Sequence, residues 1–148
     1  MKIRTDFVTN SSSSSYVFIH LESEKLLEIL NKYRDVLDEN FDETIFSDKG
    51  FELTEEFEAA YRNIFVPDKK ENIVSNLIEF ISDWYEYCNM ESDEQVEALC
   101  EALEDNKAEI LSTLTRVDWE QSYSDSEEGE KEEAHFMLDG DQVTYKHE

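Results

Sequence analysis

Apolar and polar positions along this chain switch between the period of a strand and the period of a helix, and each switch predicts an element. Residues 16 to 21, Tyr-Val-Phe-Ile-His-Leu, are aromatic and β-branched for the length of one strand, with apolar groups on both alternating faces, the pattern of a central strand. Upstream, Ile3 and Phe7 share a face of a possible shorter strand with Thr5 between them, so Thr9 to Ser14 becomes the connection. From Ser23 the period becomes helical: Leu26, Leu27, Leu30, Tyr33 and Leu37 fall on one side, Ser23 is placed to cap, and Glu24 sits near the positive end. Residues 38 to 52 carry no clear period and read as a loop anchored by Phe41, Ile45, Phe46 and Phe51. Thr54, followed by Glu55 and Glu56, predicts a shorter helix with Phe57, Tyr61 and Ile64 inward, ended by the only proline, Pro67.

A capping-box variant, Asp68 with Glu71, precedes Ile73, Leu77, Ile78, Phe80, Ile81, Trp84, Tyr85 and Cys88, whose wide apolar surface predicts the most buried helix. Ser92 with Gln95 repeats the device before Val96, Leu99, Cys100, Leu103, Ile110, Leu111 and Leu114, and Asp105-Asn106 kinks or divides that last helix. After Thr115 the period drops to two: Val117, Trp119, Gln121 and Tyr123 alternate with Arg116, Asp118, Glu120 and Ser122, a half-buried strand. In "HFMLDGDQVTY", Asp139-Gly140 has the composition of a two-residue hairpin turn. That turn pairs Leu138 with Asp141, Phe136 with Val143 and Ala134 with Tyr145, putting Phe136, Val143 and Tyr145 on one face. "SDSEEGEKEE", residues 124 to 133, is too polar to pack and reads as an acidic loop. These elements predict one α+β domain over residues 1–148: an N-terminal strand segment (1–22), a helical part of about four helices (23–114), and C-terminal strands (115–148). The N-terminal strand joins a C-terminal three-stranded element in one small, mostly antiparallel sheet.

Length supports this reading, because a compact chain of 148 residues buries roughly 70% of the surface its unfolded form exposes. Cys88 and Cys100 sit in separate apolar helical patterns without zinc spacing, as small buried hydrophobes rather than a disulfide framework. Charge interrupts every apolar cluster, and Lys2 and Arg4 follow Met1 with no continuous apolar stretch. The expectation is therefore a cytoplasmic protein without signal peptide or membrane span.

Net charge changes the picture more. Against 13 Lys and Arg stand 38 Asp and Glu, a net charge of −25. Residues 1 to 22 are neutral, whereas 23 to 114 carry 8 positive and 25 negative groups, and 115 to 148 carry 3 and 11. Such a field repels nucleic acid and anionic lipid and favours basic partners or cations. At one charge per roughly 1.7 Å of B-DNA axis, 25 charges match about 42 Å of duplex. A globule of this length spans about 38 Å, so a protein mimicking nucleic-acid charge is physically reasonable. The plainer reading is a carboxylate coat that keeps the molecule soluble.

The serine run in "VTNSSSSSYVFIHLE", residues 8 to 22, offers no nucleophile: no Gly-x-Ser-x-Gly turn positions it and no base adjoins it. Short hydroxyl side chains satisfy neighbouring backbone groups, so a turn leading into a strand explains it better. "FVTNSSSSSYVF", residues 7 to 18, resembles the opening phrase, Phe-Val-Thr/Ser-Asn, a serine run and an aromatic, of many uncharacterised bacterial and phage proteins that differ downstream. Tyr16 stands where Phe is more usual. The resemblance implies bacterial or phage origin and a role for the segment independent of the domain behind it, and it supplies no catalytic residues.

Asp125, Glu127, Glu128, Glu130, Glu132 and Glu133 form the candidate partner-binding cluster. As a calcium loop it fails, since Gly129 is fifth rather than sixth from Asp125 and the closing glutamate is misplaced. His20, His135 and His147 lack zinc spacing, although strand pairing can bring two together. Trp84, Tyr85 and Tyr87 read as core, and isolated Gly50, Gly129 and Gly140 make no phosphate loop. The expected function is non-catalytic binding of a protein with a basic surface, in its sharp form a phage or mobile-element inhibitor of a host nucleic-acid-handling protein. No cofactor, metal, direct nucleic acid or membrane contact is expected. The alternatives are an unrecognised metal-dependent enzyme using acidic residues and His135 near the hairpin, and an accessory bacterial protein whose head segment matters.

Overall fold

A strand that is apolar on both sides needs a layer against each face and a neighbour at each edge, and β1 (Ser14–Ser23) has both neighbours. The computed structural model describes residues 14–41, 43–58, 67–89, 93–125 and 130–147. Val17, Ile19 and Leu21 point into the helical layer and are almost wholly buried, and Tyr16 and Phe18 on the opposite face are buried too. The sheet has six strands, β1 together with β2 (Glu43–Phe46), β3 (Phe51–Glu58), β4 (Leu114–Asp125), β5 (Glu130–Asp139) and β6 (Gln142–His147). Their order is β2-β3-β1-β4-β5-β6, each adjacent pair antiparallel. The fold is α+β as expected, but the sheet is larger than the N-terminal strand plus three C-terminal strands. The expected strand at Ile3 to Phe7 lies outside the described residues.

The two extra strands come from residues read as a loop and a helix. Phe46 and Phe51 close a hairpin with ring centroids 5.0 Å apart, and Arg34 stands 4.2 Å from the Phe46 centroid. Thr54-Glu55-Glu56, which has the composition of a helix start, is instead mid-strand, with β3 in register from Ser14↔Glu58 to Leu21↔Phe51. Tertiary pairing overrides local propensity here for a physical reason. Without β3, the backbone N–H and C=O groups along one edge of buried β1 would have no partners. Phe51 and Leu53 also enter the core at alternate positions. Gly50 makes the approach possible: a Cβ there would meet the Leu21 carbonyl oxygen at 2.5 Å. Tyr61 and Ile64 lie outside the described residues.

Five helices among the described residues cover one face of the sheet: α1 (Glu24–Lys32), α2 (Arg34–Asn40), α3 (Ile73–Asn89), α4 (Glu94–Asp105) and α5 (Lys107–Thr113). Ser23 caps α1 as expected, accepting from the Leu26 N–H at 3.2 Å, and its hydroxyl also lies 2.7 Å from that of Thr113. One cap thus ties the start of α1 to the end of α5. Tyr33, with φ −116° and ψ 25°, divides the single helix expected from Ser23 into α1 and α2. Helix α3 carries the densest apolar surface, with Ile73, Val74, Leu77, Phe80, Ile81 and Trp84 buried. The Asp68/Glu71 box does not close over it. A 3₁₀ turn (Lys70–Asn72) precedes α3, and Asp68 accepts from the Asn72 side-chain amide at 2.9 Å. The cap of α4 is Asp93 rather than Ser92: its carboxylate accepts from Gln95 N at 2.7 Å and Val96 N at 3.4 Å. Asn106 separates α4 from α5, its amide donating to the Ala102 carbonyl at 2.8 Å.

Val117, Trp119, Gln121 and Tyr123 on β4 are all buried as the sequence predicts, but Ser122 and Ser124 between and beyond them are buried too, so the half-buried alternation holds only as far as Gln121. Trp119 Nε1 donates to Gln121 Oε1 at 2.9 Å, which accounts for a glutamine in that row. The C-terminal hairpin turns at Gly140-Asp141, one residue later than expected, with Gly140 at φ 62°, so Leu138 pairs with Val143 and Phe136 with Tyr145. The partner shift is two residues, which preserves side-chain parity, and Phe136, Val143 and Tyr145 do share a face. Only Phe136 is buried, whereas Val143 and Tyr145 are 47% and 41% exposed because β6 is an edge strand. The expected acidic loop is in part strand. Ser124 and Asp125 complete β4 and Glu130 to Glu133 open β5, leaving only 126–129 outside the described residues.

Candidate functional site

Strand parity sends one residue in two to the sheet face away from the helices, and on that face the register assembles polar groups. His20 on β1 lies opposite Glu52 on β3 and Asp118 on β4. Its Nδ1 is 2.9 Å from Glu52 Oε2 and its Nε2 is 2.7 Å from Glu22 Oε2. The His20 ring thus bridges the two carboxylates. Next along the face, His135 on β5 lies opposite Glu120 on β4 and diagonal to Asp118. His135 Nε2 is 2.8 Å from Asp118 Oδ1. One ligand-type atom from each of Asp118, Glu120 and His135 lies within 4.8 Å of the other two, all three residues being half-buried. Beside them is a concavity of about 280 Å³ bordered by Tyr16, Glu120, Glu133, His135 and Lys146. These are the described residues placed to hold a small cation.

The helical layer carries a second polar surface. On α4, Glu94, Glu97, Glu101 and Glu104 are exposed at offsets of three, four and three residues, and Asp105 adjoins them. At 3.6 residues per turn these form one band, opposite the buried Val96, Leu99 and Leu103. Lys107 reaches Glu104 at 3.5 Å. Lys25 on α1 bridges Glu28 at 3.5 Å and Glu109 on α5 at 3.4 Å, which compensates part of the acidic charge on those two helices. Burial, assisted by the charge of Glu97, pushes the Cys100 thiol up to about 11, the opposite of what a nucleophilic thiolate needs.

Of the six acidic residues singled out in the sequence, four lie in described strands. Asp125 ends β4, while Glu130, Glu132 and Glu133 lie on β5, where Glu133 Oε1 meets Lys131 at 2.9 Å; Glu127 and Glu128 lie outside the described residues. The four described ones stand on the paired ends of β4 and β5. Trp84 and Tyr85 pack as core-edge groups: Trp84 Nε1 donates to the Asn40 carbonyl at 3.2 Å and the Tyr85 hydroxyl to Asp93 at 3.3 Å. Acidic residues on the helices were expected to contribute contacts, but the α4 row was not singled out, although its spacing opposite Val96, Leu99 and Leu103 is visible in the sequence. Sequence reasoning missed Asp118 and Glu120 as companions of His135, and only the β4–β5 register reveals them. Among the described residues, no helix is long and apolar enough to cross a membrane. No family model matches the chain, and no curated protein or solved structure matches it either.

Proposed function

We propose that this chain is a non-catalytic, acidic binding domain whose helical side engages a basic surface on a protein partner. The observation that carries the reading is the α4 band of Glu94, Glu97, Glu101 and Glu104, an exposed row of like charges on a rigid helix. Their offsets correspond to steps of about 4.5 to 6 Å along the helix axis. One strand of B-DNA advances roughly 3.4 Å per phosphate, so a single row is sparser than a DNA strand. The exposed Glu28 and Glu109 of the helical layer supply further carboxylates toward the density that nucleic-acid mimicry needs. In its sharp form the domain is a cytoplasmic phage or mobile-element inhibitor that occupies the basic groove of a host nucleic-acid-handling protein. Like-charge rows of this kind steer association and make it sensitive to salt.

The test is affinity capture from bacterial lysate with graded salt elution, run with the native chain and with a Glu94→Gln/Glu97→Gln/Glu101→Gln variant. Recovery of a nucleic-acid-handling protein that elutes sharply with salt, and is lost by the variant, supports the proposal. A partner that ignores salt, or one retained equally by the variant, sinks it.

A further inference from the structure

We infer that Asp118, Glu120 and His135 form a binding site for one divalent transition-metal ion of the zinc class, on the sheet face opposite the acidic helices. The three side chains come from two adjacent interior strands, so their spacing is set by the backbone register rather than by a loop. Asp118 and Glu120 are two residues apart on one face of β4, and His135 is the register partner of Glu120. Their ligand atoms and the imidazole nitrogen lie within 4.8 Å of one another. Zinc–nitrogen and zinc–oxygen bonds of about 2.0 to 2.2 Å put neighbouring ligand atoms roughly 3.4 Å apart, so the cluster closes on an ion with small side-chain rotations. The ion would take the place of the proton between His135 Nε2 and Asp118 Oδ1, now 2.8 Å apart, and that proton would leave to solvent.

The donor set selects the ion. Calcium and magnesium favour oxygen ligands alone, while imidazole suits zinc, nickel, copper and iron. Three protein ligands leave at least one coordination position for water or an exogenous group. That position would face the concavity of about 280 Å³ bordered by Tyr16, Glu133 and Lys146, where the Lys146 ammonium favours a small anion. The long acidic surface raises the local concentration of every cation, so the test must separate this site from diffuse attraction.

Purified protein is titrated with Co²⁺, followed by its visible d–d absorption, and with Zn²⁺ by calorimetry, both in a large excess of Mg²⁺. The expected result is one ion per chain, a spectrum showing nitrogen ligation, and no displacement by Mg²⁺. Glu120→Gln and His135→Asn, each checked for a native circular dichroism spectrum, should each weaken binding by at least about tenfold. The Glu94→Gln/Glu97→Gln/Glu101→Gln variant should bind as the native chain does, which keeps this result independent of the partner-binding proposal. Binding that never saturates, that Mg²⁺ sweeps away, or that survives both site substitutions means an adventitious ion only and overturns the inference.

Discussion

The two faces of the sheet are made by the same strands and behave as two different materials. Toward the helices, β1, β4 and β5 contribute Val17, Ile19, Leu21, Val117, Trp119, Phe136 and Leu138, all buried and apolar. Away from them, the intervening positions contribute the buried rings of Tyr16 and Phe18 and, beside these, His20, Asp118, Glu120 and His135, half-buried and polar. One face derives its stability from removing carbon from water, which is additive over area and indifferent to direction. The other adds to two buried aromatic rings a few charged groups paired at hydrogen-bond distance, where each partner matters and the net gain is small. A strand can therefore hold its fold through one set of residues and offer chemistry with the next.

Substitutions on the two faces should differ in size accordingly. Trp119→Ala removes a wholly buried indole and the donor that holds Gln121 Oε1, and it should cost about 3 to 5 kcal/mol in urea denaturation. A loss below about 1 kcal/mol would mean that this face does not dominate stability. Gly50→Ala probes how closely the β2–β3 hairpin must approach β1. Its new methyl would strike the Leu21 carbonyl, so a cost of about 1 to 3 kcal/mol is expected.

On the opposite face, His20→Gln leaves Glu22 and Glu52 without their shared imidazole and should cost about 1 to 2 kcal/mol with an unchanged denaturant slope. A cost as large as that of Trp119→Ala would erase the distinction between the faces. The smallest effect is expected at the end of the helical face, where Val143 and Tyr145 are half exposed. Val143→Thr should shift stability by less than about 0.5 kcal/mol. A larger loss would show that β6 is covered by another copy or partner in solution.

Helix positions were legible wherever the amphipathic period was long. The α3 pattern from Ile73 to Trp84 and the β4 alternation from Val117 to Tyr123 bury the positions their periods select. Short segments were not legible. Thr54-Glu55-Glu56 prefers a helix locally, yet it pairs with β1 because a buried strand edge needs hydrogen bonds that no local rule counts. Tyr33 breaks a helix whose apolar spacing runs straight through it, and α4 is capped by Asp93, one residue later than expected, because two adjacent residues both have capping chemistry and local composition does not choose between them. The hairpin turn moved one residue without changing faces, since parity survives a two-residue change of partner.

The candidate chemistry divides along the same line. The acidic row on α4 is a property of one helix, and its offsets are written in the sequence. The Asp118–Glu120–His135 cluster joins residues up to 17 positions apart. The sequence by itself determined the α+β class, the apolar stripes of α3, α4 and β4, the strand at residues 16 to 21 and the net charge, because periodicity and composition are local or summed quantities. The tertiary structure decided the strand order, the conversion of residues 43–58 into two strands, and which histidine meets which carboxylates. Those depend on register, and register is set by backbone hydrogen bonding and burial across strands far apart in the chain.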